Sequence, residues 1–88
     1  MNKHILVVED NASTRELFLD ILQAFKFKTT VLRTGQEVID YFDEETNERP
    51  NVLLLDINLP EKNGVYVLQY LRGKLKLNDL KILVITAN

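Results

Sequence analysis

What most limits the folds open to this chain is an alternation of two hydrophobic periods. Three short runs, "ILVV" at 5–8, "VLLL" at 52–55 and "ILVI" at 82–85, are continuously apolar. Runs of that length suit strands buried on both faces, which is the habit of parallel sheets. Between them the period lengthens to that of a helix. In "ASTRELFLDILQAFKF", Leu17, Ile21, Leu22 and Phe25 share one helical face, and Ser13 with Glu16 has the spacing of a capping box. "KTTVLRT" reads as a more polar strand that belongs near a sheet edge. "GQEVIDYFDEE" returns to helical spacing through Val38, Ile39 and Phe42, and "TNERP" breaks it at Asn47 and Pro50. "GVYVLQYLRGKL" offers Val67 or Leu68 with Leu71 as an inward stripe, and Gly73 blurs where that helix stops. The order is β-α-β-α-β-α-β, which implies a parallel sheet built from right-handed crossovers.

Composition excludes several classes of function. The 88 residues make one small domain at most, and no repeat, low-complexity tract or linker interrupts them. A net charge of -2 with no basic block argues against nucleic-acid binding. The absence of cysteine removes disulfides and thiolate metal sites. The N-terminus is not a signal peptide, and no apolar run approaches the roughly 20 residues that span a bilayer. The expectation is a soluble, cytoplasmic protein with no membrane or nucleic-acid partner.

In open sheets of this kind, the site lies beyond the carboxyl ends of the strands. Those ends are chemically unusual here. The first strand runs into Glu9 and Asp10, the third into Asp56 and the fourth into Thr86. If the first and third strands are neighbours, three carboxylates converge on one small volume. They would repel one another and raise each other's pKa unless a cation intervened. Hard oxygen ligands, with no thiol or histidine near them, favour Mg²⁺ over zinc or copper. The chemistry suggested is phosphoryl transfer with an aspartate as acceptor. Solvated strand ends often carry single acids, so the weight rests on three of them, with a hydroxyl, along one sheet edge.

"VVED", "LLLDINLPEKNG" and "VITA", in that order and at these intervals, resemble the receiver domain of two-component response regulators from Lys3 to Ala87. The resemblance implies a flavodoxin-like doubly wound parallel sheet with strand order 2-1-3-4 and three helices; the order comes from the family rather than from the spacing. It implies Asp56 as phosphoacceptor, and Asp10 as a ligand of Mg²⁺, directly or through water, with Glu9 beside it. The backbone carbonyl of Asn58 would complete the protein ligands, and Thr86 would be the switch hydroxyl. Pro60 and Gly64 would shape the loop after the acceptor, Gly64 through a conformation other residues avoid or by opening the next helix. The implied donor is a histidine kinase or phosphotransfer protein, and the protein is no enzyme beyond self-catalysed phosphoryl transfer.

The departures matter equally. Residues 1–88 read as a partial receiver domain, because the family's fifth strand, its last two helices, its lysine and its aromatic switch residue are absent from the sequence. Lys81 and Lys62 cannot take the lysine's place, so response should suffer more than metal binding. Strand four would present an unpaired apolar edge, and part of the first helix would lose its cover. Self-association or pairing with a complementary fragment is therefore expected. The alternative reading is a receiver-derived assembly module that associates through that edge without phosphoryl transfer. A haloacid-dehalogenase-like phosphatase would need a second aspartate two residues after the nucleophile, where this chain has Asn58. His4 is expected to be structural or solvent-facing, Tyr66 and Tyr70 to pack or sit half-exposed, and Asp43-Glu44-Glu45 to be a solvated helix end.

Overall fold

The computed structural model describes residues 3–59 and 63–85. Strand β1 (His4–Val8) is followed by helix α1 (Ala12–Ala24), β2 (Lys28–Leu32), α2 (Gly35–Asp43) and β3 (Val52–Asp56). Helix α3 (Gly64–Gln69) continues into a π-helical turn (Tyr70–Lys74), and β4 (Lys81–Ile85) ends the described chain. The strands form one parallel sheet in the order β2-β1-β3-β4, the order the family resemblance implies. Every residue of β1 is buried, as expected of a strand with neighbours on both sides and helices on both faces.

Strand alternation divides the apolar residues between the two faces of the sheet. Leu6, Val8, Leu53 and Leu55 point to one side, where they close a core with Val38 and Phe42 of α2 and with Val67 and Leu71 of α3 and its π turn. These are the inward positions read from the sequence. Each fully buried side chain of this kind contributes about 1.5–3 kcal/mol through removal from water. The turn that ends α3 has the wide spacing of its class, with the Leu75 amide donating to the Tyr70 carbonyl. Gly73 lies inside it, where the sequence left the end of the helix open.

Helix α1 leaves part of its apolar stripe uncovered, as anticipated from the sequence. Leu22 is half-buried, but Leu17, Ile21 and Phe25 are 58%, 47% and 72% exposed. The helix packs mainly on β1 and β2, and among the described residues no second helix lies beside it to cover the rest of its stripe. Leu83 and Val84 of β4 are also exposed. The cap differs from expectation. Asn11, rather than Ser13, caps α1 by accepting the Thr14 amide at 2.9 Å, because the turn after the acidic pair starts the helix earlier. The reciprocal capping box is found at α2, between Thr34 and Glu37. At the other end of α1, Lys26 takes a left-handed conformation (φ 64°). There the Phe27 amide reaches back to Leu22 and the Lys26 amide to Gln23, which closes the helix in a Schellman motif.

Candidate functional site

Sheet order puts the tips of β1 and β3 side by side. Val8 pairs with Leu55, so the next residues, Glu9 and Asp56, emerge together at the carboxyl edge. One carboxylate oxygen from each of Glu9, Asp10 and Asp56 lies within 4.8 Å of the others. Glu9 and Asp56 are each only 3% exposed, whereas Asp10 faces solvent. The convergence anticipated from the sequence is thus present, with two of the three acids deep.

Electrostatics mark this cluster as under-compensated. Burial pushes the Glu9 carboxyl up to about 7, and Asp56 and Asp10 add to the rise. The Asn11 amide, donating to Glu9 Oε2 at 3.2 Å, works against it. A carboxylate surrounded by carboxylates at low exposure gains most from a cation supplied from outside. The donor set consists of oxygens alone, which suits a hard divalent ion.

The backbone around Asp56 is tightly held. Its Oδ1 accepts the Asn58 amide at 2.9 Å, so Asn58 is folded back beside the acid. The Ile57 amide donates to Ile85 of β4, and the Gly64 amide donates to the Ile57 carbonyl at 2.9 Å. A Cβ on Gly64 would stand 2.5 Å from Ile57 Cα and 2.8 Å from the Asp56 carbonyl oxygen. Gly64 is therefore required by close approach to the loop after Asp56 as it opens α3, and not by a left-handed conformation, since no described glycine has positive φ. Asn63 caps α3 by accepting the Tyr66 amide.

Of the residues singled out from the sequence, Glu9, Asp10, Asp56 and Asn58 are brought together. Thr86 and Pro60 lie outside the described residues, as does Lys62. Lys81 pairs with Val52, four residues before Asp56, and so sits at the opposite end of the sheet. His4 is buried at that opposite end, with Nε2 2.7 Å from Thr30 Oγ1 and Nδ1 3.4 Å from a Glu48 carboxylate oxygen. Tyr70 is half-buried and donates to Asp43 at 2.6 Å. A hollow of about 180 Å³ lined by Phe42, Arg49, Pro50, Leu77, Asp79 and Leu80 contains none of the candidate residues.

Two neighbours of the cluster escaped the sequence reading. Asn11 was legible as a cap-type residue directly after an acidic pair. Arg15 was not, because periodicity assigns it only to the polar face of a helix. Its guanidinium reaches back to the carbonyl oxygens of Glu9 at 2.9 Å and Asp10 at 3.3 Å.

Comparison with known proteins bears directly on this site. Residues 5–88 match the sequence model of the family described as "Response regulator receiver domain". The polar-differentiation response regulator DivK of Brucella anthropi is 34% identical over 87 residues, covering 99% of this chain and 68% of that protein. Among solved structures, the bacteriophytochrome response regulator AtBRR superimposes with a TM-score of 0.87 at 31% identity, over 100% of this chain and 69% of that one. The Mn(2+)-bound form of response regulator Rcp1 gives 0.89 at 30%, over 98% of this chain and 66% of that one. The phosphorylated cyanobacterial phytochrome response regulator RcpA gives 0.91 at 28%, over 100% and 67%.

Proposed function

Because the chain belongs to the response regulator receiver domain family, we propose that it acts as a phosphoacceptor in two-component signalling, taking a phosphoryl group on Asp56 in an Mg²⁺-dependent, self-catalysed step. Receiver domains are signalling modules rather than turnover enzymes, and residues 1–88 lie within one such domain. The observation that carries the reading is the meeting of three carboxylates within 4.8 Å around a buried aspartate at a strand tip.

The roles are those the family resemblance implies, and the geometry of Glu9, Asp10, Asp56 and Asn58 supports them. The Glu9, Asp10 and Asp56 carboxylates and the Asn58 carbonyl would hold the metal ion. When bound, Mg²⁺ supplies positive charge against the acids and the phosphoryl oxygens. Asp56 is the nucleophile: one carboxylate oxygen forms a bond to phosphorus, and the donor's bond to phosphorus breaks with its electron pair leaving on the donor. A buried strand and the Asn58 amide hold that carboxylate in one orientation, so little is lost in aligning it. Thr86 follows β4, and its hydroxyl would turn toward the acyl phosphate. The donor is a phosphohistidine on a kinase or phosphotransfer protein, met in the cytoplasm. Among the described residues, no helix is long and apolar enough to cross a membrane. The Mn(2+)-bound and phosphorylated relatives support both halves of the proposal. These relatives favour the phosphoacceptor over an assembly module working through the β4 edge.

The test is intact-mass measurement after incubation with Mg²⁺ and a small-molecule phosphodonor. One phosphoryl unit is expected on the parent, with none on Asp56→Asn or in excess chelator. Equal uptake by Asp56→Asn would remove Asp56 from the role. A folded parent that binds Mg²⁺ yet takes up nothing would overturn the phosphoacceptor reading.

A further inference from the structure

Arg15 stands in an unusual relation to the acidic cluster. It projects from the first turn of α1, is half-buried, and donates from one guanidinium nitrogen to two consecutive carbonyls, those of Glu9 and Asp10. Its backbone amide donates to Asn11 at 2.9 Å, and the Asn11 side chain accepts the Thr14 amide. The Asn11 amide in turn donates to Glu9 Oε2. The whole connection between β1 and α1 is thereby tied to the first turn of the helix, with Arg15 as its side-chain clasp.

The clasp falls where the fold has least other support. Helix α1 has no fully buried residue, so apolar packing fixes its position weakly compared with α2 and α3. Asp10 is exposed and receives no fixed orientation from burial. A permanently charged, planar donor bonded to the Glu9 and Asp10 carbonyls supplies what packing does not. We infer that Arg15 is a positioning residue for the metal site: by bridging the Glu9 and Asp10 carbonyls, it holds their carboxylates in the arrangement that receives a divalent cation. This inference rests on the functional reading above, and it assigns Arg15 no contact with metal or phosphoryl group.

The sign of the effect separates this role from a simple charge effect. A cation beside a cation site repels the ion, so removing Arg15 as a mere charge would tighten metal binding. Removing it as a clasp would loosen binding, because the carboxylates must then be ordered at the expense of binding energy. The experiment titrates the full chain with Mn²⁺ alone and follows free Mn²⁺ by electron paramagnetic resonance. Parent, Arg15→Ala, Arg15→Lys and Arg33→Ala are compared well below their melting temperatures. Arg33 follows β2 at the same sheet edge, so its removal reports the charge effect without the clasp. Arg15→Ala is expected to weaken Mn²⁺ binding about tenfold, the low end of what residues supporting metal ligands contribute. Arg15→Lys, which keeps the charge on a shorter side chain without the planar fork, is expected to fall between, and it serves alone if Arg15→Ala does not fold. Arg33→Ala is expected to bind as tightly as the parent or more so.

Affinity of Arg15→Ala equal to or tighter than that of Arg33→Ala would overturn the inference, as would parent-like binding by Arg15→Lys if only that variant folds. Binding by the parent but not by Asp56→Asn shows that the acidic cluster is the cation site on which this inference is judged, while phosphoryl uptake by the parent, measured separately, decides the functional reading. A folded parent that binds no Mn²⁺ would remove that reading and the inference with it.

Discussion

Strand β1 carries a buried titratable group at each end, and the two ends treat it differently. At the amino end, His4 meets a hydroxyl from Thr30 on one ring nitrogen and faces the Glu48 carboxylate with the other, and Glu48 is itself paired with Lys28. Burial holds the imidazole below its ordinary pKa; Glu48 opposes that shift and Lys28 reinforces it. Beyond the carboxyl end, Glu9 is equally buried but faces two more acids, and it is pushed up to about 7. The first arrangement is a polar group bonded at Nε2 and facing a carboxylate across 3.4 Å at Nδ1, which makes no hydrogen bond among the described residues. The second is one whose neighbours compound its cost, as expected where a ligand rather than the fold completes the site. Burial alone would rank the two together, and only the sign of what surrounds each separates structure from function.

The sharpest way to break this contrast is at Gly64. A methyl group there collides with the backbone of Ile57 and Asp56, which cannot move aside as a side-chain tip could. Gly64→Ala is expected to cost about 1–3 kcal/mol in chemical denaturation and to weaken Mg²⁺ binding as well. An unchanged midpoint would show that the loop after Asp56 yields freely.

At the other end, His4→Ala strands Thr30 and removes buried contacts. It is expected to lower stability by about 2 kcal/mol while leaving the Mg²⁺-induced rise in melting temperature intact. Loss of that rise would show that the two ends of β1 are not independent.

Glu9→Gln gives the converse result. It keeps an acceptor for the Asn11 amide and removes a like charge, so the metal-free protein should melt higher while Mg²⁺ affinity falls roughly tenfold. Thermal scans with and without Mg²⁺ check both halves.

The smallest expected effect is on pH dependence. Because the folded protein holds His4 below the unfolded value of 6.5, the unfolded chain binds more protons on acidification. Its contribution is complete above 6.5 and is lost as pH falls toward the lower folded pKa. His4→Gln should flatten that decline in a melting-temperature profile. Glu9 acts with the opposite sign: raised from 4.5 to about 7, in metal-free buffer it favours the folded state at low pH and loses that contribution as pH rises through 7.

Much of this was legible in the sequence, for reasons that also explain what was not. Continuous apolar runs announced β1, β3 and β4, and the inward residues Val38, Ile39, Phe42 and Leu71 followed from helical spacing, which left Val67 and Leu68 as alternatives that burial decides for Val67. Glu9, Asp10 and Asp56 could be brought together once strand ends were treated as one edge, but the order of the strands had to come from the family resemblance. Periodicity shows that Leu17, Ile21 and Phe25 share a face, not whether anything covers it; that part of α1 lacks cover was anticipated only by setting the sequence against the family's full set of helices. Spacing likewise favoured Ser13 as a cap, whereas the turn after Asp10 made it Asn11. His4 became a buried, bonded group only through Thr30 and Glu48, which are distant in sequence. Arg15 is the clearest omission, since a bond back to the carbonyls of Glu9 and Asp10 leaves no trace in hydrophobic periodicity.

The central claim is that the carboxyl edge of the sheet is built at a cost that a divalent ion relieves. Thermal unfolding of the parent and Asp56→Asn, each in chelator and in excess Mg²⁺, tests it most directly. The expected result is that Asp56→Asn melts above the parent without metal, and that Mg²⁺ raises the parent's melting temperature but not the variant's. A variant that melts below the parent in chelator, with the same Mg²⁺ shift as the parent, would contradict the claim.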